Sequence, residues 1–279
     1  MEGWTRPEHL ASTAWLADAV DRAGVRIVDA RWRPDGSGRK LHALGHIPGA
    51  VYVDWRADLI EAEDDDQLLL ASPDRIAGLA AGLGIGDGTD VIVYDDSQSL
   101  FASRVWWSLR AYGLASVRVL DGGFGAWVGE GRALATGAST TLSATFHPAD
   151  PDGRRVVTSD VRSLLGSPNV TLLDARAPAE FKGFEGNTKR LGHIPGAVNV
   201  PVGATSMPGS QKLRDAAALR DLLHSANVSR GRRMICYDGS GVAAAKLALI
   251  LTLLGHDDVA VYDGGWAEWG NRLDLPVDR

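Results

Sequence analysis

The residues best placed to do chemistry lie in one short stretch, Met234-Ile235-Cys236-Tyr237-Asp238-Gly239-Ser240-Gly241-Val242-Ala243. An apolar run of strand type leads into Asp238, and a helical pattern from Val242 to Leu254, capped by Gly255, leads out of it. At such a turn successive backbone N–H groups converge, and the helix N-terminus adds its positive dipole end. A carboxylate there is expected to have a depressed pKa and to be ionised at neutral pH. Asp238 could then act as general base, as nucleophile through an ester, or as counter-charge to a cationic intermediate. Gly239, Ser240, Gly241 and Val242 would line the substrate. Glu180, if it faces the same cleft, is a second carboxylate, and two like charges split their pKa values into an acid and a base. The other reactive candidate is Cys236, the single cysteine of the chain. Each has a plain structural alternative: Asp238 as a helix cap, Cys236 as a small buried strand residue, Glu180 as a solvated surface charge.

The elements that must position these groups occur twice. Gly45-His46-Ile47-Pro48-Gly49-Ala50 returns 147 residues later as Gly192-His193-Ile194-Pro195-Gly196-Ala197, and Asp29-Ala30-Arg31 returns as Asp174-Ala175-Arg176. Tyr94-Asp95 pairs with Tyr237-Asp238, and Leu120-Asp121-Gly122-Gly123 with Tyr262-Asp263-Gly264-Gly265. Four matches in one order, with nearly constant offset, mark a duplication. In each half, short apolar runs (Val25 to Val28, Val91 to Tyr94, Val117 to Leu120; Val170 to Leu173, Met234 to Tyr237, Val259 to Tyr262) alternate with helical patterns. That alternation predicts an α/β fold, a mainly parallel sheet flanked by helices in each half. Domains are expected at 1–140 and 156–279, joined by an aperiodic linker from about Ala135 to Arg155.

Bulk composition narrows the partners. A net charge of -6 disfavours nucleic acid and anionic membranes, which attract basic patches. No apolar run is long enough to span a bilayer, and the start, Met1 to Pro7, lacks the basic and apolar regions of a signal peptide. A cytoplasmic protein acting on a small molecule is expected. One cysteine excludes an intrachain disulfide and a multi-cysteine metal site. No phosphate loop, zinc spacing or dinucleotide fingerprint is present, so neither metal nor cofactor is expected. The acidic run Asp64-Asp65-Asp66 reads as a solvated loop. His46 and His193, repeated in both halves, read as structural hydrogen-bonding residues. Trp106, Trp107, Trp127, Trp266 and Trp269 read as packing, and Trp32 and Trp55 as candidates to line a cleft between the domains.

The order strand-Asp-Ala-Arg, Gly-His-Ile-Pro-Gly-Ala, strand-loop-helix, then Asp-Gly-Gly with a tryptophan resembles the rhodanese domain. Two copies resemble the two-domain thiosulfate and 3-mercaptopyruvate sulfurtransferases. Arg104-Val105-Trp106-Trp107 and Gly239-Ser240-Gly241-Val242 are similar to that family at the same points. The resemblance implies two tandem rhodanese-like domains, with the active-site loop after the fourth strand of the second and a non-catalytic first. The family pattern at the loop is Cys-Gly-Ser-Gly-Val-Thr, in which a thiolate carries sulfur as a persulfide. Aligned on Gly-Ser-Gly-Val, this chain has Asp238 at the nucleophile position and Cys236 two residues earlier. A rival register, in which Cys236-Tyr237-Asp238-Gly239 resembles the Cys-Tyr-X-Gly loops of some single-domain members, inserts two residues. Carried into the helix, they would rotate its buried face by roughly 200°. Where the family places arginines for its anionic substrate, this chain has Glu180, Lys182, Lys189 and Arg190. A carboxylate repels such anions, and a lysine lacks the arginine fork; Lys182 and Arg190 remain as substrate-binding candidates. Three functions follow: a carboxylate-dependent enzyme performing proton transfer or hydrolysis, a sulfurtransferase using Cys236, and a non-catalytic binding module.

Overall fold

The computed structural model describes residues 3–61, 68–139, 141, 143–151 and 153–279, so the run Asp64-Asp65-Asp66 lies outside the described residues. The first half contains β1 (Leu10–Ala11), α1 (Thr13–Ala19), β2 (Val25–Asp29), α2 (Gly38–Leu44), β3 (Val51–Tyr52), α3 (Trp55–Asp58), α4 (Pro73–Gly82), β4 (Asp90–Tyr94), α5 (Leu100–Ala111), β5 (Val117–Leu120) and α6 (Gly123–Gly129). The second contains β6 (Arg155–Val156), α7 (Thr158–Leu164), β7 (Val170–Asp174), α8 (Pro178–Phe181), β8 (Val198–Asn199), α9 (Ala216–Ser225), β9 (Arg233–Tyr237), α10 (Val242–Leu253), β10 (Val259–Tyr262) and α11 (Gly265–Trp269).

Among the described residues the halves form separate five-stranded sheets, ordered β1-β5-β4-β2-β3 and β6-β10-β9-β7-β8. Every pairing is parallel. Val91-Ile92-Val93 and Met234-Ile235-Cys236 are fully buried, as continuous apolar runs are in a parallel sheet covered on both faces. The strands read from the sequence recur, four of them one residue longer. The two-residue strands β1, β3, β6 and β8 were not legible, because two residues carry no periodicity. The segment read as a linker is laid along the first domain. Ala144 N donates to Ala81 O and Ala149 N to Tyr112 O, Phe146 is buried, and Arg155 already opens β6.

Three apolar clusters account for the packing. One lies on the outer face of the first sheet, around Leu16, Ile27, Ile92 and Trp127. Another lies on the outer face of the second, around Val161, Ile235, Tyr262 and Trp269. The inner faces share a third, which joins Val91, Val93, Trp106 and Trp107 to Met234, Cys236, Leu247 and Leu251. Side chains in β9 alternate accordingly: Met234 and Cys236 face the shared core, Ile235 and Tyr237 the outer one. α5 and α10 meet inside the shared core. In α10 every residue but Ala243 is buried, as expected for a helix apolar on all sides.

Arg104, on α5, is a cation buried in this apolar layer, with no exposure at all. Its Nη2 donates to Asp263 Oδ1 at 3.0 Å and to Leu68 O at 3.2 Å. Asp263, equally buried, also accepts Arg155 Nε at 2.9 Å and Leu70 N at 2.7 Å. The reciprocal contact is Leu213 N of the second domain on Asp121 of the first, at 3.2 Å. Each Asp-Gly-Gly turn thus receives a backbone N–H from the other domain.

Removing one partner from a buried ion pair typically costs about 3–5 kcal/mol when the other is left unpaired; here Arg155 still holds Asp263, so the low end of that range applies. Arg104→Met should therefore lower the unfolding free energy by about that much, in urea denaturation followed by far-ultraviolet circular dichroism. A loss below about 1 kcal/mol, the range of a surface pair, would mean that this contact does not hold the domains together.

Candidate active site

The repeated motifs form one hydrogen-bonded frame in each domain. Arg176 clasps Asp174 through Nε (3.0 Å) and Nη2 (2.5 Å), and Nη2 reaches Gly192 O at 2.8 Å. Arg31, Asp29 and Gly45 repeat this, with Nη2 at 2.6 Å from Asp29 and 2.7 Å from Gly45 O. The Tyr237 hydroxyl accepts Ile194 N at 3.2 Å, and the Tyr94 hydroxyl accepts Ile47 N at 3.3 Å. His193 and His46 bond the carbonyls of Phe181 and His42, both at 2.8 Å. Asp-Ala-Arg, Gly-His-Ile-Pro-Gly-Ala and Tyr-Asp therefore tie the end of the central strands to one turn. That frame delivers Asp238 to the head of α10.

Asp238 leaves β9 directly into the loop and is 5% exposed. Its Oδ2 accepts the N–H groups of Ser240 and Ala243 at 3.3 Å and the Ser240 hydroxyl at 3.4 Å, and Oδ1 accepts Ala244 N at 3.3 Å. The loop closes through Gly241, whose φ of +77° favours glycine, and a Cβ there would lie 2.3 Å from Arg104 Nη1. Asp238 O also accepts Trp266 N at 2.7 Å. A Cβ on Gly265 would lie 2.3 Å from that same carbonyl. These contacts explain why a Gly-Ser-Gly loop and an Asp-Gly-Gly turn accompany each other.

The expected depressed pKa of Asp238 is not what the site produces. Burial pushes the carboxyl above its ordinary value, and the N–H donors of Ser240, Ala244, Ala243 and Gly241 only partly offset this. Asp95, at the equivalent point in the first domain, is also raised by burial. Its cap is tighter: Ser97 N, Ser99 N and Ala102 N all sit 2.9 Å from the carboxylate, which is 1% exposed.

Cys236 lies within β9, paired with Leu173 and Val261 and wholly buried. Burial, with Asp238 nearby, drives its thiol far above the ordinary range. Glu180 is half-buried, and its Oε2 accepts Ala177 N at 3.3 Å, capping its own helix α8. Lys182 ends that helix, exposed. Arg190 directs Nη1 to Leu275 O at 2.5 Å and Nη2 to Trp269 O at 3.0 Å and to Arg272 O. Its partners belong to α11 and the C-terminal segment rather than to the 238–242 loop. Trp55 is buried and Trp32 half-buried, and the two pack with Phe101 at the head of α5, ring centroids 5.3–6.2 Å apart.

Two residues that cover the loop escape sequence reasoning as site residues. Arg104 lies over Gly241, its Nη1 3.5 Å from the carbonyl, and Asp263 holds Arg104 there. The available signal was Arg104 amid the apolar residues of α5, a charge that must find a buried partner.

With two parallel α/β sheets, paired capping carboxylates and a loop roofed from the other domain, the chain presents a duplicated loop-bearing fold. The rhodanese-like domain model matches residues 12–130 and 157–272, and the chain belongs to that family, in two copies. It is 34% identical over 271 residues to the 3-mercaptopyruvate sulfurtransferase of Escherichia coli K12, covering 95% of each chain. Against the putative thiosulfate sulfurtransferase SseB of Mycobacterium tuberculosis H37Rv it is 35% identical over 287 residues, covering 98% of each. The crystal structure of the 3-mercaptopyruvate sulfotransferase SseA from Escherichia coli matches with a TM-score of 0.85 and 31% identity, covering 92% of this chain and 98% of that one.

The raised carboxyl carries a pH signature. An unfolded aspartate titrates near its ordinary value of 3.8, and folded Asp238 titrates above it. Between those two points the folded state holds the extra proton, so this group increasingly opposes folding as pH rises through the window. The stability of the parent relative to Asp238→Asn should therefore fall as pH is raised from about 4 and then level off. Urea unfolding at a series of pH values checks this. A parent-to-variant difference that grows with pH would mean a depressed carboxyl instead.

Proposed function

We propose that this protein acts at the Asp238 loop by proton transfer or hydrolysis on a small neutral or cationic molecule, and not by relay of sulfur. The relatives are named for sulfur transfer from 3-mercaptopyruvate and thiosulfate, a chemistry that proceeds through a thiolate. In our reading an aspartate has taken the position of that thiolate. The observation that carries the proposal is the contrast at the head of α10. A carboxylate sits among the loop's N–H groups, while the single sulfur nucleophile is sealed inside β9 with a thiol that resists ionisation.

The first domain supplies an internal comparison. Asp95 has a cap at 2.9 Å and nearly no exposure, as a purely structural residue would. Asp238 is held at 3.3 Å and is more exposed, which favours a group that exchanges protons with a ligand. A carboxyl raised by burial is also the better acid–base catalyst near neutrality. In this reading Asp238 is the base or nucleophile, and Glu180 stays with α8 as its cap. Gly239 to Val242 form the floor, Lys182 stands at the margin, and Arg190 steadies the C-terminal segment. A second reading, a non-catalytic binding module, is favoured by the same Asp95, since an equivalent aspartate can serve only as a cap.

Three measurements separate these. With thiosulfate or 3-mercaptopyruvate and cyanide, the parent should form no thiocyanate, and mass spectrometry should find no persulfide on Cys236. Asp238→Cys should gain a persulfide at position 238, whether or not Cys236→Ser is also present. Robust parent activity that disappears in Cys236→Ser would instead establish sulfur transfer. Proton transfer is read as deuterium wash-in from D₂O across a panel of small amines and carbonyl compounds, with hydrolysis followed on their esters and amides. Turnover present in the parent and lost in Asp238→Asn supports the proposal; turnover unchanged in that variant leaves Asp238 a helix cap.

A further inference from the structure

The two Gly-His-Ile-Pro-Gly-Ala turns are supported differently, and the difference opens onto a cavity. In the second domain His193 stacks on Phe181, centroids 3.8 Å apart, and bonds its carbonyl. In the first, His46 stacks on His42 at 4.0 Å with the rings 11° from parallel, and bonds the His42 carbonyl. His42 therefore stands where the other copy has a phenylalanine. A phenyl ring is enough to support the turn, so the two ring nitrogens of His42 are additional to that structural role.

One of those nitrogens is oriented by a buried carboxylate. His42 Nδ1 lies 2.9 Å from Asp29 Oδ2, and Asp29, with no exposure, also accepts Arg31 Nε and Nη2. Burial raises the Asp29 carboxyl, but the bonds from His42 and Arg31 outweigh it and hold the group below its ordinary value. An ionised Asp29 can only accept, so Nδ1 carries a proton, and in the neutral imidazole Nε2 then presents its lone pair. His42 belongs to the wall of a cavity of about 460 Å³, with Arg39, Val51, Tyr52, Leu83 and Ser139 among its neighbours there. Arg39 is exposed at this wall, its guanidinium 4.9 Å from the Tyr52 ring centroid, and it forms no ion pair among the described residues. The cavity thus joins an exposed cation, an oriented imidazole, the hydroxyl groups of Tyr52, Ser139 and Thr141, and apolar walls. Pockets of this size with a few convergent polar groups are typical of small-molecule sites.

We propose that this first-domain cavity binds a small organic oxyanion that also carries a hydroxyl group. Arg39 takes the carboxylate or phosphate, and His42 Nε2 accepts the hydroxyl hydrogen bond. The site lies among α2, β3, the end of α4 and the stretch that includes Gly137 and Ser139; it owes nothing to Asp238, so it stands or falls apart from the function assigned to that loop.

The test is imidazole ¹H–¹⁵N NMR on the full chain, titrated separately with glycolate and with acetate, its counterpart without the hydroxyl. In the free protein His42 should show protonation at Nδ1 and not at Nε2. Glycolate should shift its Nε2 resonance saturably, while acetate should bind without a comparable Nε2 response. Arg39→Met should weaken glycolate binding about ten-fold or more, the loss expected for one charge-assisted contact. His42→Phe copies the arrangement around Phe181, so it should leave the circular dichroism spectrum intact and lower glycolate affinity to the level of acetate. Asp238→Asn should bind glycolate like the parent. A His42 protonated at Nε2, no saturable response to either probe, or glycolate affinity indifferent to Arg39→Met would each overturn the proposal.

Discussion

The packing of α5 against α10, closed by the Arg104–Asp263 pair, is the constraint on which the rest of the molecule depends. It merges the inner faces of both sheets into one apolar cluster. Neither domain then has a complete core without the other, since the Trp106 and Trp107 face of α5 has its apolar cover in α10 and its surroundings. Charge in this layer is expensive, and the structure places it sparingly. Arg104 is matched to Asp263. Lys246 occupies the corresponding turn of α10, fully buried, with Nζ 2.7 Å from Ser206 Oγ. Burial lowers its pKa to about 8, and Asp95 across the interface draws it partly back. The two helices therefore each place a cation where it senses the other domain's loop.

That reciprocity gives meaning to the duplication. Both loops start with an aspartate that caps the following helix, both are backed by an Asp-Gly-Gly turn, and both are approached from the other domain. Gln98 N, in the first loop, donates to Gln211 Oε1 at 2.6 Å, much as Leu68 and Leu70 approach the second loop through Arg104 and Asp263. What separates the copies is detail. The first uses Ser99 in a left-handed conformation as N-cap, the second Gly241, and only the glycine admits the Arg104 guanidinium against the backbone. The same divergence placed a histidine opposite a phenylalanine beside the Gly-His-Ile-Pro-Gly-Ala turns, giving the first domain polar chemistry that the second lacks.

Much of this was determined by the sequence alone. The repeated motifs and the apolar runs carried the α/β class, the duplication, the positions of the six longer strands to within a residue and the place of the Asp238 loop. They do so because the motifs are local or near-local hydrogen-bonded units: Asp174 and Arg176 are two residues apart, and the loop lies between one strand and the next helix. The protonation tendency of Asp238 was another matter. Counting N–H donors near a helix start argues for a low pKa, but the opposing cost is desolvation, and that depends on how fully α5 and the first domain cover the loop. Likewise Arg190 reads as a free cation until the carbonyls of α11 and the C-terminal segment, some eighty residues away, are folded against it. Glu180 reads as a cleft carboxylate until it is seen capping α8. The partner of Arg104, 159 residues distant, and the cavity that His42 lines were likewise decided only by tertiary structure. Burial and long-range charge pairing are properties of what surrounds a residue in space, and spacing along the chain does not encode them.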